Sequence, residues 1–213
     1  LRARMHIGTR EAFCRVVMLE EREGVLPGGE GTVQLRLEEP IPLTRGDRYI
    51  LRDDSVQKTL GGGVIVDPSA ARHRRFTDAT REALGTMRDA DDEALMRWLL
   101  QRDADPFLDK TRLAPYFPIP AARRNRWVAE LAREAIVEDT GTYLIASERR
   151  LALWEGIVER LGRYHEANPI EVGQGAAELK ASLDGPVCEP GFDWLLARME
   201  SAGAIRRTRR KKK

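Results

Sequence analysis

No apolar run in this chain approaches the ~20 residues needed to cross a bilayer, so no membrane partner is expected. No secretory signal pattern stands at the start, which is Leu1. Cysteine is scarce. Cys14 and Cys188 lie far apart, with no CxxC pair or histidine cluster beside either. That excludes a disulfide framework and a zinc knuckle, and it fits a reduced, cytoplasmic setting with both thiols as small core residues. Histidine is limited to His6, His73 and His165, none at metal-ligand spacing. No G-x-x-x-x-G-K-[ST] loop is present. The adjacent acids Asp53-Asp54 and Asp91-Asp92 are accounted for by turn and cap duties, and no Ser/His/Asp or Cys/His arrangement stands out. No enzyme, metal or cofactor is therefore expected in this chain.

What the chain has is charge, unevenly placed. Lys and Arg total 36 and Asp and Glu 34, a net +2. Residues 206–213, RRTRRKKK, carry seven of the positive charges and leave the rest of the chain at −5. An acidic body with a basic end favours a polyanionic partner, above all nucleic acid. The 213 residues suffice for one large or two small domains.

Strand signals fill residues 1–68. Arg2–Ile7 and Phe13–Leu19 are short runs rich in branched and aromatic residues, and Gly24, Pro27, Gly28 and Gly29 punctuate a turn. Thr32–Leu37 alternates, with Val33, Leu35 and Leu37 predicted on one face. Pro40-Ile41-Pro42 cannot lie in a central strand and reads as an edge or a crossing loop. Gly46 to Pro68, GDRYILRDDSVQKTLGGGVIVDP, reads as two strands around a polar turn, with Gly61, Gly62 and Gly63 opening the second strand. Those glycines precede Val-Ile-Val rather than a helix. They lack the helix N-terminus that makes glycine loops bind phosphate, and they read as places of close backbone approach. Short strands without helices predict a small antiparallel β-barrel or sandwich.

Helical periodicity follows. Residues 69–90 read as a linker and the start of a helix. Residues 91–146 read as a first winged helix. Asp91 or Asp92 caps a helix bearing Leu95, Trp98 and Leu99; a second helix, Arg123–Arg133, carries Trp127, Val128 and Leu131; and 135–145 forms a hairpin. Residues 147–213 read as a second unit of the same kind. Ser147 is predicted to cap a long helix bearing Trp154, Ile157, Val158 and Leu161. Short helices follow at 176–183 and around Phe192, Leu195, Leu196 and Met199, ending at Gly203. The second unit is expected to stop before its wing. On winged helices, the basic clusters Arg72/Arg74/Arg75, Arg123/Arg124/Arg126 and the terminal Arg206, Arg207, Arg209, Arg210 and Lys211 are candidate nucleic-acid contacts, because phosphates are neutralised by Lys and Arg.

Gly46–Pro68, together with MHIGTREAFCRVVML, PGGEGTVQLRLEEPIP, YLIASERR and YHEANPIEVGQGAAELKASL, resembles the C-terminal part of the bacterial selenocysteine-specific translation elongation factors. The resemblance implies the third, β-barrel domain of the elongation factor Tu type, lacking its first strand, followed by winged helices. It implies a monomer that handles selenocysteinyl-tRNA, with an mRNA hairpin and the ribosome as further partners of the full-length protein. GTP and Mg would belong to a GTPase domain that this chain does not include. The implied tRNA-facing residues are Arg10 in one turn and Arg52, Asp53, Ser55, Gln57, Lys58 and Thr59 in another. The alternative from another class is a winged-helix DNA-binding transcriptional regulator.

Overall fold

The computed structural model describes residues 1–20, 24–55, 58–73 and 75–208. The chain divides into two compact units, Leu1–Leu95 with Arg112–Pro120, and Met96–Thr111 with Ala121–Lys213.

The first unit is built on five antiparallel strands, β1 (Arg2–Ile7), β2 (Arg10–Met18), β3 (Val33–Leu37), β4 (Arg48–Asp53) and β5 (Thr59–Val64), in the order β3-β2-β1-β4-β5. Alternation explains the layering. Ala3, Met5, Cys14 and Leu51 point to one face and are buried, flanked by Ile7, Val16, Leu35, Leu37 and Tyr49. The chain must pass from β3 at one edge to β4 beyond β1, so residues 38–47 cross the sheet. Ile41 and Leu43 of that crossing pack on the apolar face. The sheet thus curls into a half-barrel plugged by its own loop, and β3 and β5 remain its edges.

Three details differ from the sequence expectation. The glycines lie inside β5, not at its start: Gly61, Gly62 and Gly63 oppose Leu51, Ile50 and Tyr49. The Tyr49 ring lies against Gly63, where a Cβ would meet it at 2.6–3.1 Å, and a Cβ on Gly62 would meet the Tyr49 carbonyl oxygen at 2.7 Å. The register slips between Leu51 and Arg52, which leaves Leu60 as a bulge. On β3 the residue most deeply buried is Gln34, whose Nε2 donates to the Ala71 carbonyl at 2.7 Å. Residues around Ala71 cover the Gln34 end of the other face.

Helix α1 (Asp78–Asp89) follows, in the stretch read as linker and helix start. Thr77 caps it, with Oγ1 accepting from the Thr80 amide, and Leu84 and Met87 are its buried face. Arg45 closes its far end, donating from Nη2 to the carbonyls of Met87 (3.0 Å) and Ala90 (3.1 Å). Asp91 caps α2 (Asp92–Arg102), accepting from the Ala94 amide at 2.8 Å.

In the second unit, β6 (Phe107–Asp109), β7 (Val137–Asp139) and β8 (Tyr143–Ala146) form a small sheet in the order β6-β8-β7. Helix α3 (Ala121–Arg133) precedes the β7–β8 hairpin, and α4 (Ser147–Ala167), α5 (Ala176–Ala181) and α6 (Glu189–Ser201) follow it. The core joins Phe107, Ile145, Ile157, Leu179, Phe192, Leu195, Leu196 and Met199. Gly191 sits flat on Phe107; a Cβ there would meet the ring at 2.5 Å. Arg149 closes the end of α2, donating to the carbonyls of Leu100 (2.7 Å), Asp103 (3.1 Å) and Ala104 (3.0 Å). Ser147 is the first residue of α4 rather than its cap. Ala146 holds the cap position and offers no side-chain bond. Val158 is exposed and Leu153 packs on the core instead. Cys14 is fully buried as expected, but Cys188 is only half-buried, at the start of α6.

Two helices end the same way with different residues. After α3, Ala135 has φ +56°, its amide bonds to the Ala132 carbonyl, and Ile136 bonds back to Leu131. After α6, Gly203 has φ +73°, its amide bonds to Glu200, and Ala204 bonds back to Met199. Both are Schellman ends, where glycine is favoured because it has no Cβ. No strand follows α6 among the described residues.

Candidate nucleic-acid interface

The turn between β4 and β5 is held by Asp53. Its Oδ1 accepts from the Ser55 amide (2.8 Å) and the Ser55 hydroxyl (2.6 Å), and its own amide donates to the Lys58 carbonyl (2.8 Å). Asp53 and Ser55 therefore shape the turn, and their side chains face each other more than a partner. Arg52, Lys58 and Thr59 are exposed beside it. Arg10 is exposed too, but the β1–β2 turn lies at the other end of the sheet. Asp53 is opposite Ala3, whereas Arg10 pairs with Ile7. Roughly 13–17 Å of strand separates the two positions, at about 3.3 Å per residue. The structure thus gathers Arg52, Asp53, Ser55, Lys58 and Thr59 and leaves Arg10 apart. Gln57, Arg74, Arg209, Arg210 and Lys211 lie outside the described residues.

Arg52 is not alone on its face. Its Cα partner across the sheet is Arg4, while Arg2 pairs with Arg15 and Arg15 with Arg36. The outward face of the half-barrel therefore carries Arg2, Arg4, Arg15, Arg36, Arg48 and Arg52. Only Arg52 stood out in the sequence. The signal was there in the alternation Arg2-Ala3-Arg4-Met5-His6, which puts every second residue on one face. Arg2 is held bidentately by Glu38 (3.0 and 3.2 Å) and reaches Asp54 (3.0 Å), and Arg4 reaches Glu11 (3.4 Å). Glu38 raises the Arg2 pKa, chiefly through that hydrogen bond. Both guanidiniums stack on Phe13, at 4.6 and 4.7 Å from the ring centroid.

In the second unit the helices that precede the two wing positions differ in sign. Helix α3 carries Arg123, Arg124, Arg126 and Arg133 against one acid, Glu130. Arg123 and Arg126 are exposed, and Arg124 is half-buried with a partner of its own. Helix α6 carries Glu189, Asp193 and Glu200 against Arg198. Arg198 is drawn to Glu138 of β7 at 3.1 Å, and Glu138 also holds Arg150 at 2.8 Å. Lys180 pairs with Glu189. Arg207 is bound to Glu200, while Arg206 is exposed. The α3 surface suits phosphate, and the α6 surface does not.

The triple glycine is strand, and among the described residues no three His, Cys, Asp or Glu gather to hold a metal ion. Burial pushes the Cys14 and Cys188 thiols and the Tyr49 hydroxyl up from their ordinary values, which makes the thiolates and the phenolate scarce at neutral pH. No helix among the described residues is long and apolar enough to cross a membrane.

Residues 2–72 match the family described as selenocysteine-specific elongation factor, beta-barrel domain, and residues 158–210 match elongation factor SelB, winged helix. A curated relative, the selenocysteine-specific elongation factor of Desulfomicrobium baculatum, is 24% identical over 203 residues. That match covers 94% of this chain and 32% of the relative, so the chain spans about a third of the relative's length.

Proposed function

Since this chain carries the β-barrel and winged-helix domains of selenocysteine-specific elongation factors, we propose that it is an RNA-binding portion of such a factor. In this reading the barrel domain grips the backbone of selenocysteinyl-tRNA, for delivery to the ribosome at recoded UGA codons in the cytoplasm. The winged helices tie that grip to the mRNA side. The chain supplies binding and no chemistry of its own. The observation that carries the reading is the pair of matches, barrel first and winged helix after, within one alignment over 94% of the chain. The arginine-bearing sheet face and the basic α3 supply a physical reason, because phosphate neutralisation provides most of the sequence-independent affinity for nucleic acid.

The test is competition binding by the full chain. Labelled selenocysteinyl-tRNA is challenged with unlabelled elongator tRNA and with duplex DNA of equal length. The expected result is preference for selenocysteinyl-tRNA over both competitors. Preference for duplex DNA overturns the reading and restores the transcriptional regulator.

A further inference from the structure

Two arginines of the second unit share one carboxylate. Glu138 of β7 accepts from Arg150 Nε of α4 at 2.8 Å through Oε1, and its Oε2 pairs with Arg198 Nε of α6 at 3.1 Å. Each guanidinium also lies over an indole, Arg150 over Trp154 and Arg198 over Trp194, both at 5.6 Å from the ring centroid. Carboxylate and ring together hold the two forks in place. Their Nη groups take no partner among the described residues. Arg150, Trp154, Arg198, Ser201 and Ala202 line a cleft of about 350 Å³ that opens to solvent. Two cations against one anion leave the cleft at +1.

The positive charge of these helices is confined to that cleft. On α4, Arg149 is engaged by the carbonyls that end α2, Arg160 by Asp184 and Arg163 by Glu159. On α6 the other charges are Glu189, Asp193 and Glu200, and Arg207 beyond it is taken by Glu200. A nucleic-acid backbone needs cations along a track, and none leads away from the cleft on either helix. A phosphate dianion would also meet Glu138 at the same forks. A single carboxylate matches a charge of +1, and its two oxygens match guanidinium forks. The half-buried Trp154 offers apolar surface beside them for one side chain. We propose that this cleft binds the C-terminal carboxylate of a partner polypeptide whose last side chain, apolar or aromatic, lies on Trp154. A chain end fits better than an internal acid. It supplies carboxylate and side chain from one Cα, and its backbone leaves the cleft on one side only. The partner is a protein, so the inference goes beyond RNA binding and does not rest on it.

The experiment is an NMR titration of the full chain. The probe is the peptide acetyl-Gly-Ser-Gly-Ser-Leu with a free C-terminal carboxylate. The readout is the Trp154 indole resonance, identified among the chain's four Trp by the Trp154→Phe variant. Expected is a saturable shift of that resonance at up to about 10 mM peptide. The C-terminal amide of the same peptide should bind about tenfold more weakly, and so should the free acid to Arg198→Gln, the scale of one charge-assisted hydrogen bond. Arg198 is 54% exposed, so its replacement leaves the packing of α6 intact. Arg198→Lys keeps the charge and loses the fork, and should recover only part of the affinity. Equal affinity for acid and amide overturns the proposal, as does a Trp154 resonance that does not move. Tighter binding of inorganic phosphate or of a single-stranded RNA overturns the choice of a carboxylate. An amidated peptide with one internal Asp that binds as tightly as the free acid overturns the choice of a chain end.

Discussion

Ala135 occupies a position that its own chain fills with glycine elsewhere, which gives an internal control. Ala135 and Gly203 sit at equivalent places in the two Schellman ends, with φ +56° and +73°. Both belong to the second compact unit. A non-glycine residue in the left-handed region costs about 1–2 kcal/mol, and glycine gives back part of that through the larger entropy it loses on folding. Ala135→Gly should therefore stabilise the unit by about 1 kcal/mol. Gly203→Ala should destabilise it by a similar amount, and purely through the dihedral, because a Cβ at Gly203 meets nothing within 4 Å. For a unit of this size each change corresponds to a shift of roughly 5 °C in Tm. Scanning calorimetry of the full chain is the assay, since it resolves a second transition if the units melt separately. Expected are an upward shift for Ala135→Gly and a downward one for Gly203→Ala, in the same transition. If Ala135→Gly is neutral or destabilising while Gly203→Ala costs the expected amount, the two helix ends are not equivalent and the argument from φ fails.

Two further predictions concern the half-barrel. Gly63→Ala places a methyl within 2.6–3.1 Å of the Tyr49 ring, so it should cost about 1–3 kcal/mol as overpacking, read as a lower urea midpoint; Gly61→Ala, with open space around its Cβ, should cost less. Burial raises Cys14 above its ordinary 9.0 and Tyr49 above 10.0. The folded state then holds these protons more tightly than the unfolded chain, so stability is level below pH 8 and falls as pH rises above 9, with Cys14→Ser reducing the slope in alkaline urea melts. A melt whose midpoint is flat from pH 8 to pH 10.5 would contradict this.

Much of the fold was legible because period and punctuation agreed. β1, β2, the β4–β5 hairpin, the Asp91 cap and the α6 core of Phe192, Leu195, Leu196 and Met199 follow directly from spacing. The misses have physical causes. Helix α1 was legible as a helix entry after residue 78 but not in its extent, because its apolar signal is only Leu84 and Met87. Strand β6 is three residues long behind Pro106 and becomes visible only through its pairing with β8. Gln34 broke the expected alternation of β3 because a distant segment, at Ala71, covers the face that sequence assigns to solvent. The candidate site was partly legible. The β4–β5 turn was found, but two of its polar side chains proved to be occupied with each other. The arginine face required register, since Arg2, Arg15 and Arg36 meet only once the pairing of β1, β2 and β3 is known.

The crossing of residues 38–47 has a consequence for the order of events during synthesis. β1 and β2 join through a tight turn and β3 completes a meander, but the other side of β1 waits for β4. Ala3 meets Asp53, 50 residues later. At about 5–20 residues per second, a translating ribosome takes about 2.5–10 s to deliver that partner. Strand pairing itself needs only microseconds. For those seconds the nascent meander shows the bare edge of β1 as well as that of β3, which makes it a natural client for a chaperone at the tunnel exit.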